Sequence, residues 1–450
     1  MFYILETEQQ LKFLERFYTE KVFTDFIPDN DLVHPYLTEV ISIYLHPESC
    51  EEGYIIPIKH NEGLKVEESL ISQMIFSFKQ LYIWDKRYLC PEWENYGRFD
   101  VQILASMKGQ PRLEEPLEDP SIKWFYSRLG NGKKVNSVIP VSKLYERSFN
   151  RYKSVQKLLS GDLPQGFEFY NTKGFKSYQI VENHGIGVFS ENFSKENAVQ
   201  VPLFNVDKGR VYTKYNFGNI TSRPTNSFNG VNFLAIPKTE NCRKVYRPVN
   251  DLFIEFDFDG YHLRLICEQI GYRLSSESAH IQIGRTVYGK EDLTEEELKT
   301  IKNVNFHAIY GKIPPQYAFY EFFEKLGNFI ETLWIEFNQK GFIEDPISRR
   351  KYFKEYLPDM HKYKLMNYFV QSLETSRNIE ILSRVVEYLK DKKSKVVLVT
   401  YDAITVDFAQ ADGLDTLEEL EKLLDTNSQF PVRVSYGKNF NFTKLTPIYS

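Results

Sequence analysis

The chain has 450 residues, 42% hydrophobic and 15% aromatic, with a formal net charge of −5. That length can fill several cores, on the order of two to four domains. No apolar run nears the ~18 residues of a membrane span, and the opening MFYILETEQQLKFLERF lacks the basic-then-apolar order of a secretory leader. The charge is not that of a strongly basic DNA-coating protein, although a basic cleft can sit within an acidic exterior.

Residues 20–60 read as strands broken by turns: ISIYL and YIIPIKH are β-rich, with the loop HPESCEEG between them. Residues 66–90 read as a helix followed by the strand LYIW. The stretch GQPRLEEPLEDP (109–120) marks a linker or surface loop and a first boundary. A helix is predicted over 141–160, with Lys and Arg on much of its surface, and then short β-rich runs between turns to 217. LFIEFDF is a strand, and its continuation YHLRLICEQI is helical in pattern. Residues 293–311 form a long helix, with Thr294 and Glu297 spaced as a capping box and Gly311 and Pro314 as the stop. KVVLVTYDAITVDF (395–408) reads as two strands about a turn at Tyr401–Asp402. The end holds the helix TLEELEKLL and the strand FPVRVSYG. The scattered cysteines Cys50, Cys90, Cys242 and Cys267 show no metal-site spacing and fit a reduced, cytoplasmic protein.

Two aspartates carry the first chemical signal. Asp257 ends the apolar strand FIEFDF, and Asp402 sits at a tight turn between apolar strands. A carboxylate at the end of a buried strand is costly unless something pairs it. Two such carboxylates brought together repel one another, and divalent cations remove the repulsion. Mg²⁺ favours one or two carboxylates plus phosphate oxygens. Two metals ~3.5–4 Å apart can activate an attacking hydroxyl and stabilise a leaving oxygen. Aspartate at a hairpin turn is equally at home for conformational reasons alone. On the helix 293–311, Lys302, Phe306 and Tyr310 share a face, with Lys299 three residues earlier. An ammonium for phosphates and a ring for sugar and base suit a nucleoside triphosphate. A plain amphipathic helix with a snorkelling lysine gives the same pattern.

Order and spacing make the pieces specific. DFDGYHLR (257–264) resembles motif A of the family A DNA polymerases, Asp-Tyr-Ser-Gln-Ile-Glu-Leu-Arg. KTIKNVNFHAIYG (299–311) is similar to motif B, and TYDA (400–403) to motif C, Val-His-Asp-Glu. The segment 206–237 resembles the family's Thr-Gly-Arg to Asn-Leu-Gln-Asn-Ile-Pro stretch. GFIEDPISRRKYF (341–353) resembles its Gly-Tyr-Val-Glu turn, and NYFVQ (367–371) its Asn-Met-Pro-Val-Gln. The resemblance spans about 205–450 and is looser before that. It implies an α+β, right-hand polymerase of palm, fingers and thumb, with an N-terminal degenerate RNase H-like 3′–5′ exonuclease domain. The implied boundaries are 1–125 for the exonuclease-like domain and 126–205 for the thumb. The palm would take 206–270 and 375–450, and the fingers 271–374. The basic helix 141–160 would begin the thumb and grip duplex phosphates.

The resemblance further implies a two-metal phosphoryl transfer, with Mg²⁺ (or Mn²⁺) as cofactor and Asp257 and Asp402 as metal ligands. Lys302 would stabilise the leaving pyrophosphate, with His280 and Lys299 helping at the phosphates. Phe306 would pack on the sugar, and Tyr310 would close the pocket near the templating base. Arg223, Asn367 and Gln371 would contact primer–template, with Tyr401 beside the primer end. Departures are plain. Ala403 replaces a glutamate, Leu298 an arginine, and His262 the glutamate that crowds the sugar's 2′ position. Ribonucleotide exclusion would then run through His262 packed with Tyr310. In the N-terminal third, YIIPIKH and LYIWDKRYL with Asp85 resemble exonuclease motifs, but Ile27 follows Asp25 where a glutamate is needed. Proofreading is therefore expected to be absent. The implied partners are primer–template DNA, deoxynucleoside triphosphates and replisome proteins, with no membrane, for a monomer of phage-like compactness. An RNA-synthesising relative and a catalytically weak or inactive DNA-binding relic remain as alternatives.

Overall fold

Two of the most apolar runs, KVFTDFIP and VISIYLHP, become neighbouring strands buried along seven of their eight residues. The computed structural model describes residues 3–63, 66–111, 113, 119–129, 134–189, 206–226, 231–236, 240–425 and 429–444. It divides into two units, one comprising the chain up to Phe167 and the other the chain from Glu168 onward, apart from short returns to the first. Parts of the expected linker 109–120, of the expected thumb 126–205 and of the segment 206–237 lie outside the described residues. No helix among the described residues is long and apolar enough to cross a membrane.

The first unit holds a six-stranded sheet. Its strands are β1 (Tyr3–Ile4), β2 (Lys21–Pro28), β3 (Val40–Pro47), β4 (Tyr54–Pro57), β5 (Gln80–Ile83) and β6 (Arg98–Asp100), in spatial order β1-β4-β3-β2-β5-β6. Strand β3 runs antiparallel to its neighbours β2 and β4, whereas β5 runs parallel to β2 and β6 parallel to β5. Successive side chains of a strand face opposite sides. Val22, Phe26, Ile43 and Leu45 thus join an apolar cluster with Leu11, Leu14 and α2 (Glu68–Ser77), which follows the short α1 (Glu8–Lys12). Phe23, Asp25, Tyr44 and His46 point the other way. They meet α5 (Val141–Leu159), the last of three helices after α3 (Val101–Met107) and α4 (Pro120–Leu129).

The helix 141–160 keeps Lys153 and Lys157 on its surface, as expected, but turns Arg147 and Arg151 inward. Arg151 is 8% exposed and donates to both Asp25 oxygens at 3.1 and 2.9 Å, while Ser148 donates to Oδ2 at 2.6 Å. Arg147 pairs with Asp31 at 2.8 Å. The buried Asp25 carboxylate and the half-buried Asp31 demand inward-facing cations, so these arginines are not free to hold a duplex. Arg151→Ala would strand the Asp25 charge and is expected to cost about 3–5 kcal/mol, read by denaturant unfolding. An Asp25→Ala/Arg151→Ala double variant should cost well under the sum of the two singles.

The second unit is built on a five-stranded antiparallel sheet. Its strands are β7 (Leu252–Phe258), β8 (Lys395–Thr400), β9 (Ala403–Phe408), β10 (Val432–Gly437) and β11 (Thr443–Lys444), in the order β8-β9-β7-β10-β11. The central strand β7 buries Phe253, Ile254, Phe256 and Phe258 and leaves Glu255 and Asp257 half-exposed. The helices are α6 (Phe175–His184), α7 (Tyr261–Ile270), α8 (Ala279–Tyr288), α9 (Glu295–Tyr310), α10 (Glu321–Lys340), α11 (Lys362–Tyr388) and α12 (Leu414–Leu424). The 27-residue α11 is the spine of the unit: α6, α7, α9, α10, α12 and β8 all pack on it.

Candidate active site

Backbone pairing brings the two sequence-predicted aspartates together. Asp257 lies opposite Ala403 in the β7–β9 ladder, and the Phe258 amide donates to the Asp402 carbonyl at 3.0 Å. The carboxylates therefore occupy adjacent strand ends, where neighbouring strands lie ~4.8 Å apart. Asp402 sits in a two-residue turn, preceded by Tyr401 at φ +49°. A non-glycine residue held there costs on the order of 1–3 kcal/mol, a strain that clusters at functional sites. Asn378 of α11 braces the turn by donating to the Tyr401 carbonyl at 2.6 Å, and accepts in turn from the Tyr261 hydroxyl at 2.8 Å.

The link from β7 to α7 is built as firmly. Gly260 adopts φ +58°, and a Cβ there would come within 3.0 Å of the Ala279 Cβ, so α8 starts close against the turn. Arg264, 3% exposed, donates to the carbonyls of Asp259, Ser275, Glu277 and Gln429. These bonds hold together the turn, the start of α8 and the segment leading to β10.

The electrostatics are those of an under-compensated acidic pocket. Burial pushes the Asp257 carboxyl up, Arg433 opposes this from 2.9 Å, and Asp402 adds to it. Burial likewise raises Asp402, with Glu374 adding to the rise and His262 and Arg223 opposing it. Glu255, two residues before Asp257 on the same strand, is pushed up to about 7 by burial and by Asp257. Among the described residues no three His, Cys, Asp or Glu side chains converge to hold a metal ion. The donor set is thus a pair of carboxylates. Such a pair fits Mg²⁺, which keeps several waters and takes phosphate oxygens for its remaining positions.

The helix expected at 293–311 forms as α9, and its capping box is realised: Thr294 accepts from the Glu297 amide, and Glu297 accepts from the Thr294 amide. Ile301, Asn305, Ala308 and Ile309 face inward. Lys299, Lys302, Phe306 and Tyr310 lie on the open side, and Phe306 and Tyr310 stack with ring centres 6.2 Å apart. Lys302 and Lys299 make no ion pair among the described residues.

His280, the second residue of α8, is 9% exposed, and its Nδ1 accepts from the Asn305 amide group at 3.0 Å. Burial, with Lys302 and Arg433 adding, pushes its pKa down to about 4 against the opposing pull of Asp259. At neutral pH it is therefore an uncharged donor, not a cation. Its folded-state value lies below the ordinary 6.5, so the stability it contributes is fully present above about pH 6.5. That stability is lost as pH falls toward 4, by up to about 3 kcal/mol. His280→Gln should accordingly show a shallower fall of unfolding free energy across that window.

The remaining expected residues gather around α11. Gln371 donates to Asn367 at 3.0 Å and accepts from Thr221 at 3.1 Å. The Arg223 guanidinium lies 3.8 Å from the Tyr401 ring centre. His262 Nδ1 shares a short hydrogen bond with the Tyr310 hydroxyl, and its Nε2 lies 3.3 Å from Glu374. The structure thus unites Asp257, Asp402, His262, Tyr310, Arg223 and Tyr401, sets Lys302 and Phe306 beside His280, and pairs Gln371 with Asn367 and Thr221. Sequence reasoning missed Glu374, Asn378 and Arg433. Asn367, Gln371, Glu374 and Asn378 follow one another every three or four residues along α11, but Ser372, Thr375, Ser376, Arg377 and Glu380 stand among them, so no clean polar stripe gave a signal. Arg433, alternating on a short strand, carried none.

No protein-family model matches the chain. A curated protein, DNA polymerase I of Synechocystis sp., is 24% identical over 183 residues, covering 34% of this chain and 18% of that relative. A solved structure of the POL domain of Pol1 from M. smegmatis, in complex with DNA primer-template and dNTP, matches with a TM-score of 0.69 and 12% identity. That match covers 97% of this chain and 99% of the other. In fold this chain is similar over nearly its whole length to the M. smegmatis POL domain, and in sequence over about a third of it to a DNA polymerase I of which it spans less than a fifth.

Proposed function

We propose that this chain is a template-directed DNA polymerase that adds deoxynucleoside triphosphates to a primer 3′ end. The observation that carries the reading is the meeting of Asp257 and Asp402 at adjacent strand ends, in one unit with a helix whose open face bears Lys302, Phe306 and Tyr310. The M. smegmatis neighbour holds a primer-template and a dNTP, and the reading extends those ligands to this chain. The five-stranded sheet takes the part of the palm, and α8, α9 and α10 that of the fingers.

When bound at the two aspartates, a pair of Mg²⁺ or Mn²⁺ ions supplies activation of the primer hydroxyl and neutralisation of phosphate charge. Asp257 and Asp402 hold that pair. Lys302 meets the triphosphate and stabilises charge on the departing pyrophosphate. His280 donates a neutral N–H at the phosphates, and Lys299 adds a second cation along the helix. Phe306 packs on the sugar, and Tyr310 with His262 closes the pocket around it. Arg223, Gln371 and Asn367 face the nascent pair, and Tyr401 supports the primer end next to Asp402. Catalysis is then chiefly positioning and preorganised charge.

The first unit reads as a relic 3′–5′ exonuclease scaffold. Strand order β4-β3-β2-β5-β6 with only β3 reversed is the RNase H-like arrangement, which supports the reading. Arg151 and Ser148 already engage the Asp25 oxygens that a metal would need.

The test is extension of a labelled primer on four templates that differ only at the first unpaired base, with Mg²⁺ and single deoxynucleotides or, in parallel, single ribonucleotides. Insertion of the complementary nucleotide on each template supports the reading. Insertion independent of template, or preferential use of ribonucleotides, replaces it with another polymerase class. No insertion leaves the DNA-binding relic.

A further inference from the structure

We propose that Glu374 is a positioning residue for sugar selection: through His262 it sets Tyr310 at the nucleotide pocket, and through Arg223 it sets Tyr401 beside Asp402. The inference rests on the polymerase reading above.

Glu374 is 1% exposed, in the middle of α11. A carboxylate so deeply buried costs several kcal/mol unless it is paired. Here both oxygens are engaged. Arg223 places Nε 2.7 Å from Oε2 and donates from Nη2 to Oε1 at 3.0 Å, and His262 Nε2 lies 3.3 Å from Oε1. Burial alone would raise the Glu374 carboxyl, but the His262 hydrogen bond and the Arg223 charge outweigh it and hold it below its ordinary value. One carboxylate therefore draws three segments together: the loop bearing Arg223, the first turn of α7 and the spine helix.

The two arms end at different parts of the pocket. On one side the Arg223 guanidinium lies over the Tyr401 ring, one residue from Asp402. On the other, His262 reaches the Tyr310 hydroxyl at the last residue of α9. His262 stands where the family resemblance expects a carboxylate. In this chain the carboxylate comes from α11 instead, one residue further back, and the imidazole relays its orientation to Tyr310.

Hydrogen-bond bookkeeping separates the two arms. His262 Nε2 faces Oε1, the oxygen that also accepts from Arg223 Nη2. A carboxylate can only accept, so the His262 proton sits on Nε2, and Nδ1 is left to accept from Tyr310. A glutamine of the same size has one oxygen and one NH₂ group. With its oxygen in the place of Oε1 it serves both donors, and its NH₂ group then faces Arg223 Nε, donor against donor. Glu374→Gln therefore keeps the His262 arm and weakens the Arg223 arm, whereas Glu374→Leu removes both.

The experiment measures single-nucleotide kcat/KM for matched deoxy- and ribonucleotides, together with long-range ¹H–¹⁵N spectra of the histidines. Expected results are an Nε2–H tautomer for His262 in the wild-type chain and in Glu374→Gln, and its loss in Glu374→Leu. The deoxy-to-ribo ratio should fall at least ~10-fold in Glu374→Leu and by less in Glu374→Gln. In His262→Ala, adding Glu374→Leu should change the ratio no further, as for residues acting as one unit. An unchanged ratio in Glu374→Leu, or effects that add in full, would overturn the proposal. If the wild-type chain inserts no nucleotide, the polymerase reading fails on its own. The wild-type tautomer then still decides whether Glu374 orients His262. A wild-type His262 protonated at Nδ1 alone sinks the relay even where the leucine variant does not fold.

Discussion

Asp402→Asn is expected to reduce primer extension by ~10³-fold or more while leaving the fold intact, and Asp257→Asn to do the same. The substitution keeps side-chain size and removes the charge that would hold a divalent cation. Its effect on stability should run the other way from its effect on activity. Burial raises both carboxyls above their ordinary values. Such a group contributes stability below its unfolded value and loses it as pH rises through the folded one. At neutral pH the ionised pair is therefore a cost to the metal-free fold, and the asparagine variants should melt at the same temperature as the parent or higher. Lost activity with a raised melting temperature marks residues kept for chemistry. Lost activity with a lowered one would make these aspartates structural.

The second large effect falls on Lys302. Lys302→Ala should cut kcat/KM for the incoming nucleotide by ~10²–10³-fold, the usual consequence of removing one preorganised charge from a transition state. The residue is exposed and carries no ion pair among the described residues, so stability should move by less than about 0.5 kcal/mol. Lys299, one turn earlier on the same face, should cost an order of magnitude less when replaced. Equal losses at the two positions would mean that the helix offers a diffuse positive field and not a single aimed ammonium. Pyrophosphorolysis should fall in parallel, because the same ammonium serves the reverse reaction.

Much of this site was legible because its signals are local. The capping box of Thr294 and Glu297 marked the start of α9, and the apolar run broken at Tyr401–Asp402 marked a hairpin; both formed as read. FIEFDF formed a strand as read, with Asp257 one residue before its end. Residues 66–90 resolved into α2 and β5, as their pattern indicated.

What stayed hidden depends on pairing across long stretches of chain. Arg151 looked like one more basic residue on a helix surface, and only Asp25, 126 residues away, turns it inward. Glu374 looked like a helix-surface glutamate until Arg223, 151 residues earlier, and His262 closed on it. His280 was expected to help at the phosphates; that it would do so as a neutral ring follows from its burial, with Lys302 and Arg433 adding, and its Nδ1 is taken by Asn305 on the neighbouring helix. Arg433 enters the site only because β10 pairs with β7 in the register that sets it opposite Asp257. Tertiary charge pairing of this kind leaves no periodicity in either partner, so no local window could have found it.

The most direct measurement is the anomalous scattering of Mn²⁺ in crystals of the chain with primer–template and a non-hydrolysable deoxynucleoside triphosphate. The account predicts two peaks ~3.5–4 Å apart, bridged by oxygens of Asp257 and Asp402, with the Arg433 guanidinium displaced from Asp257 and Lys302 at the triphosphate. Manganese bound elsewhere, or Asp257 still clasped by Arg433 with no metal beside it, would contradict it.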